Sequence, residues 1–119
     1  MRLKGIIQLC GYDMKCIEEA LSYVEKHYTE RVSAEQLSME VGLSVKKLQA
    51  GMKRKTGLTL HDHILKVRMG YAKAMLTDTC IPLKVISKAM GFRTPSHFGE
   101  VFKGATSMAP NEYRYHSEE

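Results

Sequence analysis

The feature that most narrows the fold is an internal repeat. Leu37-Ser-Met-Glu-Val-Gly42-Leu43 matches Ile86-Ser-Lys-Ala-Met-Gly91-Phe92 at an offset of 49. After one inserted residue, Leu48-Gln-Ala-Gly-Met52-Lys53 matches Phe98-Gly-Glu-Val-Phe102-Lys103 at an offset of 50. Each copy reads as a short helix, a Gly turn, a Ser or Thr cap, then a helix with apolar residues at i and i+4 followed by Lys. Two helices meeting at a tight Gly-containing turn are the expectation for a helix-turn-helix, although a generic helical hairpin repeat would share the spacing.

Charge separates these two readings. Residues 1–40 carry five Lys/Arg against seven Asp/Glu, whereas residues 41–116 carry thirteen against four. From Val41 to His61 there is no acidic residue, but there are Lys46, Lys47, Lys53, Arg54 and Lys55. A solvated helix normally intersperses signs for i,i+4 pairing. A uniformly positive helix instead suits a polyanion such as the phosphates of duplex DNA.

The flanking pattern is helical throughout, and seven helices are expected. Ile17, Leu21, Val24 and Tyr28 define a first helix over about 15–28. Ser33 and Gln36 form a capping-box pattern before a short helix that ends at Gly42. Ser44 caps a helix over about 45–56, stopped by Gly57. Thr59 and Asp62 open the longest helix, over about 60–76, with Ile64, Val67, Tyr71, Ala74 and Met75 as its apolar stripe. Thr77-Asp78-Thr79 is expected to break it. Pro82 then reads as a first-turn residue of a helix ending at Gly91. Thr94-Pro95 starts a helix to about residue 105, and a last one runs over about 110–115. Aromatics are few, so aliphatic and Met side chains are expected to fill the interior, with the eight Met read as packing. The run Ile6-Ile7-Gln8-Leu9-Cys10 reads as a capping strand or helix, or as a linker remnant. It is too short to span a bilayer and lacks a cleavage-site pattern.

Catalysis and metal binding find no footing. Cys10, Cys16 and Cys80 fit no disulfide framework or metal spacing, which suggests reduced thiols in a cytosolic protein. His61 and His63 lie about 200° apart on a helix and cannot share an ion, while Asp62 is accounted for as a capping residue. No Ser/His/Asp set or Gly-rich phosphate loop is present, so an enzyme and a cofactor are not expected.

With these residues in place, the chain resembles the DNA-binding domain of the AraC/XylS family over about residues 17–115. Leu37, Gly42, Ser44, Leu48, Lys53 and Gly57 carry the first unit, and Arg68, Ala72 and Leu76 the linker helix. The second unit is carried by Ile86, Ala89, Gly91-Phe92, Ser96, Phe98, Phe102-Lys103, Pro110 and Tyr113-Arg114. The resemblance implies an all-α fold of two three-helix helix-turn-helix subdomains joined by a long linker helix. The expected division is an N-terminal extension or linker remnant over 1–14, a first subdomain over 15–58, the linker over 59–77 and a second subdomain over 78–119. It further implies a bacterial, cytoplasmic, nucleoid-associated transcription regulator, commonly an activator. Its two recognition helices would enter successive major grooves about 34 Å apart. Double-stranded DNA is the implied partner. RNA polymerase is a further one, as is a ligand-sensing or dimerisation domain outside this chain.

Residue roles follow from helical rotation. If Leu48 and Met52 face the core, Val45, Lys46, Gln49 and Lys53 lie on or near the outer face, and by the same rotation Phe98 and Phe102 are core in the second unit. Gln49 can then pair bidentately with adenine, and Lys46 can reach guanine. Lys47, Lys53 and Arg54 are candidates for phosphates, as is Ser44 with its helix N-terminus. In the second unit Thr94, Ser96 and His97 are candidates for base edges or phosphates, and Arg93 and Lys103 for phosphates. Glu100 either accepts from cytosine N4 or repels the backbone. Ala50 and Glu100 stand where the family commonly has Arg, and Ser107 and Ala109 replace its usual Gly and Ser/Thr. These departures leave open an alternative, a degenerate module acting through protein contacts with polymerase or another regulator. Gly51, Gly99 and Gly104 are expected to weaken their helices by up to about 1 kcal/mol each.

Overall fold

A computed structural model describes residues 7–117. Among these the chain forms seven helices and no strand: α1 (Gly11–His27), α2 (Ala34–Val41), α3 (Val45–Thr56), α4 (Leu60–Asp78), α5 (Leu83–Ala89), α6 (Pro95–Thr106) and α7 (Pro110–Ser117). They divide into two compact units. Of the described residues, the first comprises 7–28 and 32–64, and the second 29–31 and 65–117.

In the first unit α1 packs on both α2 and α3, and α2 packs on α3. Ile17, Ala20, Val24, Leu37, Leu48 and Met52 are fully buried there. α1 begins four residues earlier than its apolar period suggests. The Asp13 carboxylate accepts from the Cys10 amide at 3.1 Å, satisfying a donor that would otherwise be left free at the helix start. Ile6 lies outside the described residues, and residues 7–10 form neither helix nor strand. The Ser33 hydroxyl accepts from the Gln36 amide as expected. The Gln36 side chain, however, donates to the Tyr23 hydroxyl at 3.3 Å, so the capping box acts from one side.

In the second unit α6 packs on α5 and α7. All three Phe residues sit here, and Phe98 and Phe102 are fully buried, as the spacing predicts. Phe92, Phe98, Phe102 and Tyr113 form a chain of rings with successive centroids 5.4, 5.7 and 5.3 Å apart. Met52, Met69 and Met90 are buried as expected, but Met39 is 84% exposed and is not packing.

Two helices differ in detail from their sequence pattern. α4 runs through Thr77 to Asp78 because the Thr77 hydroxyl donates to the Lys73 carbonyl one turn back, a bond compatible with helix. Its buried residues are Leu60 and Ile64, then Met69, Ala72 and Leu76, whereas Tyr71 and Ala74 are exposed. The step from Ile64 to Met69 turns the buried side by about 140°. Leu60 and Ile64 belong to the first unit and the others to the second, so no single stripe can run along α4. Pro82 occupies the N-cap of α5 rather than its first turn.

The repeat extends beyond the motif that announces it. Ser38 and Ser87, both buried, donate to the carbonyls of Glu35 and Lys84 at 2.8 and 2.9 Å. After α3 the Thr56 hydroxyl caps the Met52 carbonyl and accepts from the Leu58 amide, and after α6 Thr106 does the same with Phe102 and Met108. The C-caps are left-handed in both, Gly57 at φ 76° and Ser107 at φ 67°. A serine at the second position accepts a conformation that usually favours glycine.

Candidate nucleic-acid interface

Each unit presents one helix whose inner face is buried and whose outer face is polar. In α3 the Ser44 hydroxyl accepts from the Lys47 amide at 3.2 Å and fixes the first turn. Leu48, Gly51 and Met52 point inward, leaving Lys46, Gln49 and Lys53 exposed. In α6 the Thr94 hydroxyl accepts from the His97 amide at 3.1 Å, and Phe98 and Phe102 are fully buried. Arg93, Thr94, Ser96, His97, Glu100 and Lys103 are all exposed. The His97 ring meets the Phe92 ring edge-on, with centroids 5.4 Å apart, which limits where the imidazole can point.

The basic residues of α3 do not all face solvent alone. Lys47 is half-buried, and its Nζ lies 3.1 Å from Oδ2 of Asp13 on α1. The Cys10 amide and then the Lys47 ammonium hold the Asp13 carboxyl below its ordinary value. The Arg54 guanidinium donates to the Ile7 carbonyl at 2.8 Å, and Lys55 lies 3.7 Å from Glu18. Acidic residues absent from α3 are thus supplied by α1. Lys46 and Lys53 have no ion pair among the described residues.

Other arginines serve the fold. Arg68 donates to the Glu30 carbonyl at 3.0 Å and stands 5.9 Å from the Phe92 ring centroid, and its burial pushes its pKa down. Arg114 reaches the carbonyls of Leu76 and Ile81 at 3.1 and 2.6 Å, tying α7 to the end of α4 and the segment after it. Composition counts these charges with the rest, so sequence alone cannot tell them from surface ones.

Gly51 is a packing requirement rather than a weakness. A Cβ there would lie 2.4 Å from two side-chain atoms of Ile17, which is fully buried. Gly91 is constrained twice, by φ 88° and by a Thr29 carbonyl oxygen 2.7 Å from where its Cβ would be. Gly104 has open space around it. Beside α3, a groove of about 650 Å³ is lined by residues of the first unit alone, among them Gln49, Ala50, Lys53 and His61. The pattern pointed to Gln49 and Lys53 but not to this concavity, which arises where residues distant in sequence meet.

Two all-α units, each offering one capped, polar-faced helix, define a double helix-turn-helix protein. A family model described as a helix-turn-helix domain matches residues 37–116. The chain belongs to the AraC-type helix-turn-helix family, whose members are DNA-binding regulator domains rather than enzymes. It is similar to the probable transcriptional regulator LumQ of Photobacterium leiognathi, 28% identical over 94 residues covering 79% of this chain and 38% of LumQ. It is also similar to the HTH-type transcriptional activator RhaS of Enterobacter sp. (strain 638), 29% identical over 98 residues covering 82% of this chain and 35% of RhaS. A solved transcriptional regulator of Chromobacterium violaceum, described as AraC-type, has a TM-score of 0.80 at 25% identity, covering 87% of this chain and 92% of that one. The chain spans well under half the length of these two curated relatives. Among the described residues no helix is long and apolar enough to cross a membrane.

Proposed function

We propose that this chain binds double-stranded DNA sequence-specifically and regulates transcription, in the direction of activation. α3 and α6 would each enter a major groove of one duplex. The observation that carries the reading is the outer face of α3: Lys46, Gln49 and Lys53 are exposed on one capped helix whose opposite face is locked by Leu48 and Met52. A glutamine flanked by lysines that have no ion pair among the described residues combines base readout with phosphate attraction. The family and the name of the relative RhaS support regulation and activation.

Within this reading the residues divide by their present company. Lys46, Gln49 and Lys53 form the reading face of α3, with Ser44 presenting its helix N-terminus to a phosphate. Lys47 must leave Asp13 before it can hold a phosphate, whereas Arg54 gives the Ile7 carbonyl only part of its guanidinium and keeps other N–H groups for one. In the second unit Arg93 and Lys103 take phosphates, while Thr94, Ser96, His97 and Glu100 meet base edges or position the helix.

In-vitro selection from random duplexes tests the reading directly. The expected result is one enriched motif with two half-sites about one helical turn apart. Gln49→Ala is expected to relax preference at a single base pair, at a cost of about 1–3 kcal/mol on the selected site. An unchanged motif would show that α3 is not oriented with Gln49 towards the bases, and no duplex binding at low salt would refute the proposal itself.

A further inference from the structure

We propose that the groove beside α3 binds a small amphipathic carboxylate, and that its occupation withdraws Gln49 and Lys53 from DNA. The displacement rests on the DNA-binding reading above, whereas the binding does not.

Two of the residues that line the groove carry only methyl groups: Ala34, in the first turn of α2, and Ala50, midway along α3, both half-buried. Its floor is Val32, Leu60 and Ile64, the last two 8% exposed. Its volume of about 650 Å³ lies inside the range of roughly 300–1,000 Å³ typical of small-molecule sites. An apolar floor of this kind gives a phosphate nothing to bind and rewards a hydrocarbon body.

The rim determines the head group. Among the described residues, Lys53 and His61 are the ionisable side chains that line the groove, and no carboxylate does. Glu35 and Asp62, next to the lining residues Ala34 and His61 in sequence, are exposed and outside the lining. The polar groups offered to a ligand are the Lys53 ammonium, the Gln49 amide, the His61 imidazole and the Thr59 hydroxyl, which accepts from the Asp62 amide at 3.1 Å and keeps its own O–H to donate. An anionic head fits this rim, and an ammonium is repelled by it. Because Gln49 and Lys53 also form the proposed reading face of α3, ligand and duplex compete for the same two side chains.

Sodium octanoate is the probe, with octylamine as the charge-reversed control, followed by amide NMR shifts of the protein at fixed pH and ionic strength. Saturable shifts are expected at residues 34, 50, 60 and 64 with octanoate and not with octylamine. Ala34→Leu and Ala50→Leu, each filling the groove from one side, should abolish them. The exposed Lys53→Gln should weaken octanoate binding about tenfold, about the effect of losing one charge-assisted hydrogen bond. Absence of saturation, or unaltered binding in the Leu variants, would dismiss the site. Duplex titration with octanoate at ten times its Kd should then show apparent DNA affinity reduced about tenfold. Octanoate seated in the groove with DNA affinity unaltered would refute the displacement. If duplex never binds, the regulatory reading fails and the NMR titration alone decides the groove.

Discussion

Lys47 and Lys53 sit six positions apart on α3 and keep different company. Lys53 is exposed without an ion pair among the described residues, whereas Lys47 is half-buried against Asp13. Lys53→Ala is therefore expected to weaken binding across all duplex sequences and to reduce the salt slope by about one unit, read from titrations at several salt concentrations. Lys47→Ala should mainly lower the thermal midpoint. Asp13 adds a pH dependence whose sign is fixed. Its carboxyl is held below the ordinary value in the folded chain, so the unfolded chain takes up the proton first as pH falls. Its stabilisation is complete above the usual carboxylate range of about 4 and is lost as pH drops towards the folded value. Denaturant midpoints measured between about pH 6 and 3 should fall for the natural chain and fall less for Asp13→Asn. The glycines divide in the same way. Gly51→Ala should destabilise, because overpacking against Ile17 costs about 1–3 kcal/mol and helix propensity returns at most about 1. Gly104→Ala, in open space, should stabilise by up to about 1 kcal/mol in thermal melts.

Arg114 shows what a single side chain does for an element. Its bonds to the carbonyls of Leu76 and Ile81 hold α7 against the end of α4, so Arg114→Ala is expected to cost about 2 kcal/mol or more. Chemical denaturation would measure it, and a loss below about 0.5 kcal/mol would mean that water replaces both bonds. Element identity was legible in sequence because caps and glycines punctuate the chain: Ser44, Thr94, Gly42 and Gly57 all stand where their chemistry requires. The start of α1 was less legible, since neither Cys10 nor Gly11 announces a helix and the cap comes from Asp13. The stripe of α4 was misread for a different reason. One periodic face is assumed when a helix serves one core, and α4 serves two. The outward face of α3 could be placed by rotation from Leu48 and Met52, but the ion partners on α1 could not, because tertiary packing brings them there.

At the scale of the whole molecule, net charge overstates the surface available to a polyanion. Thirteen basic residues lie in 41–116, yet Lys47, Arg54, Lys55, Arg68 and Arg114 are bonded within the chain. Of the other eight, Lys46, Lys53, Arg93 and Lys103 belong to the proposed site and have no ion pair among the described residues, so log K against log salt should fall with a slope of roughly −3.5 if these four alone meet phosphates. A much steeper slope would show instead that basic residues outside this set also meet phosphates. The close approach of Gly51 to Ile17 bears on how such a domain can be re-engineered. A recognition helix grafted from a homologue with a bulkier residue at that position would not dock on this α1 unless position 17 were trimmed with it. Positions 17 and 51 pack as one unit, so a new recognition helix has to be matched to its supporting partner on α1.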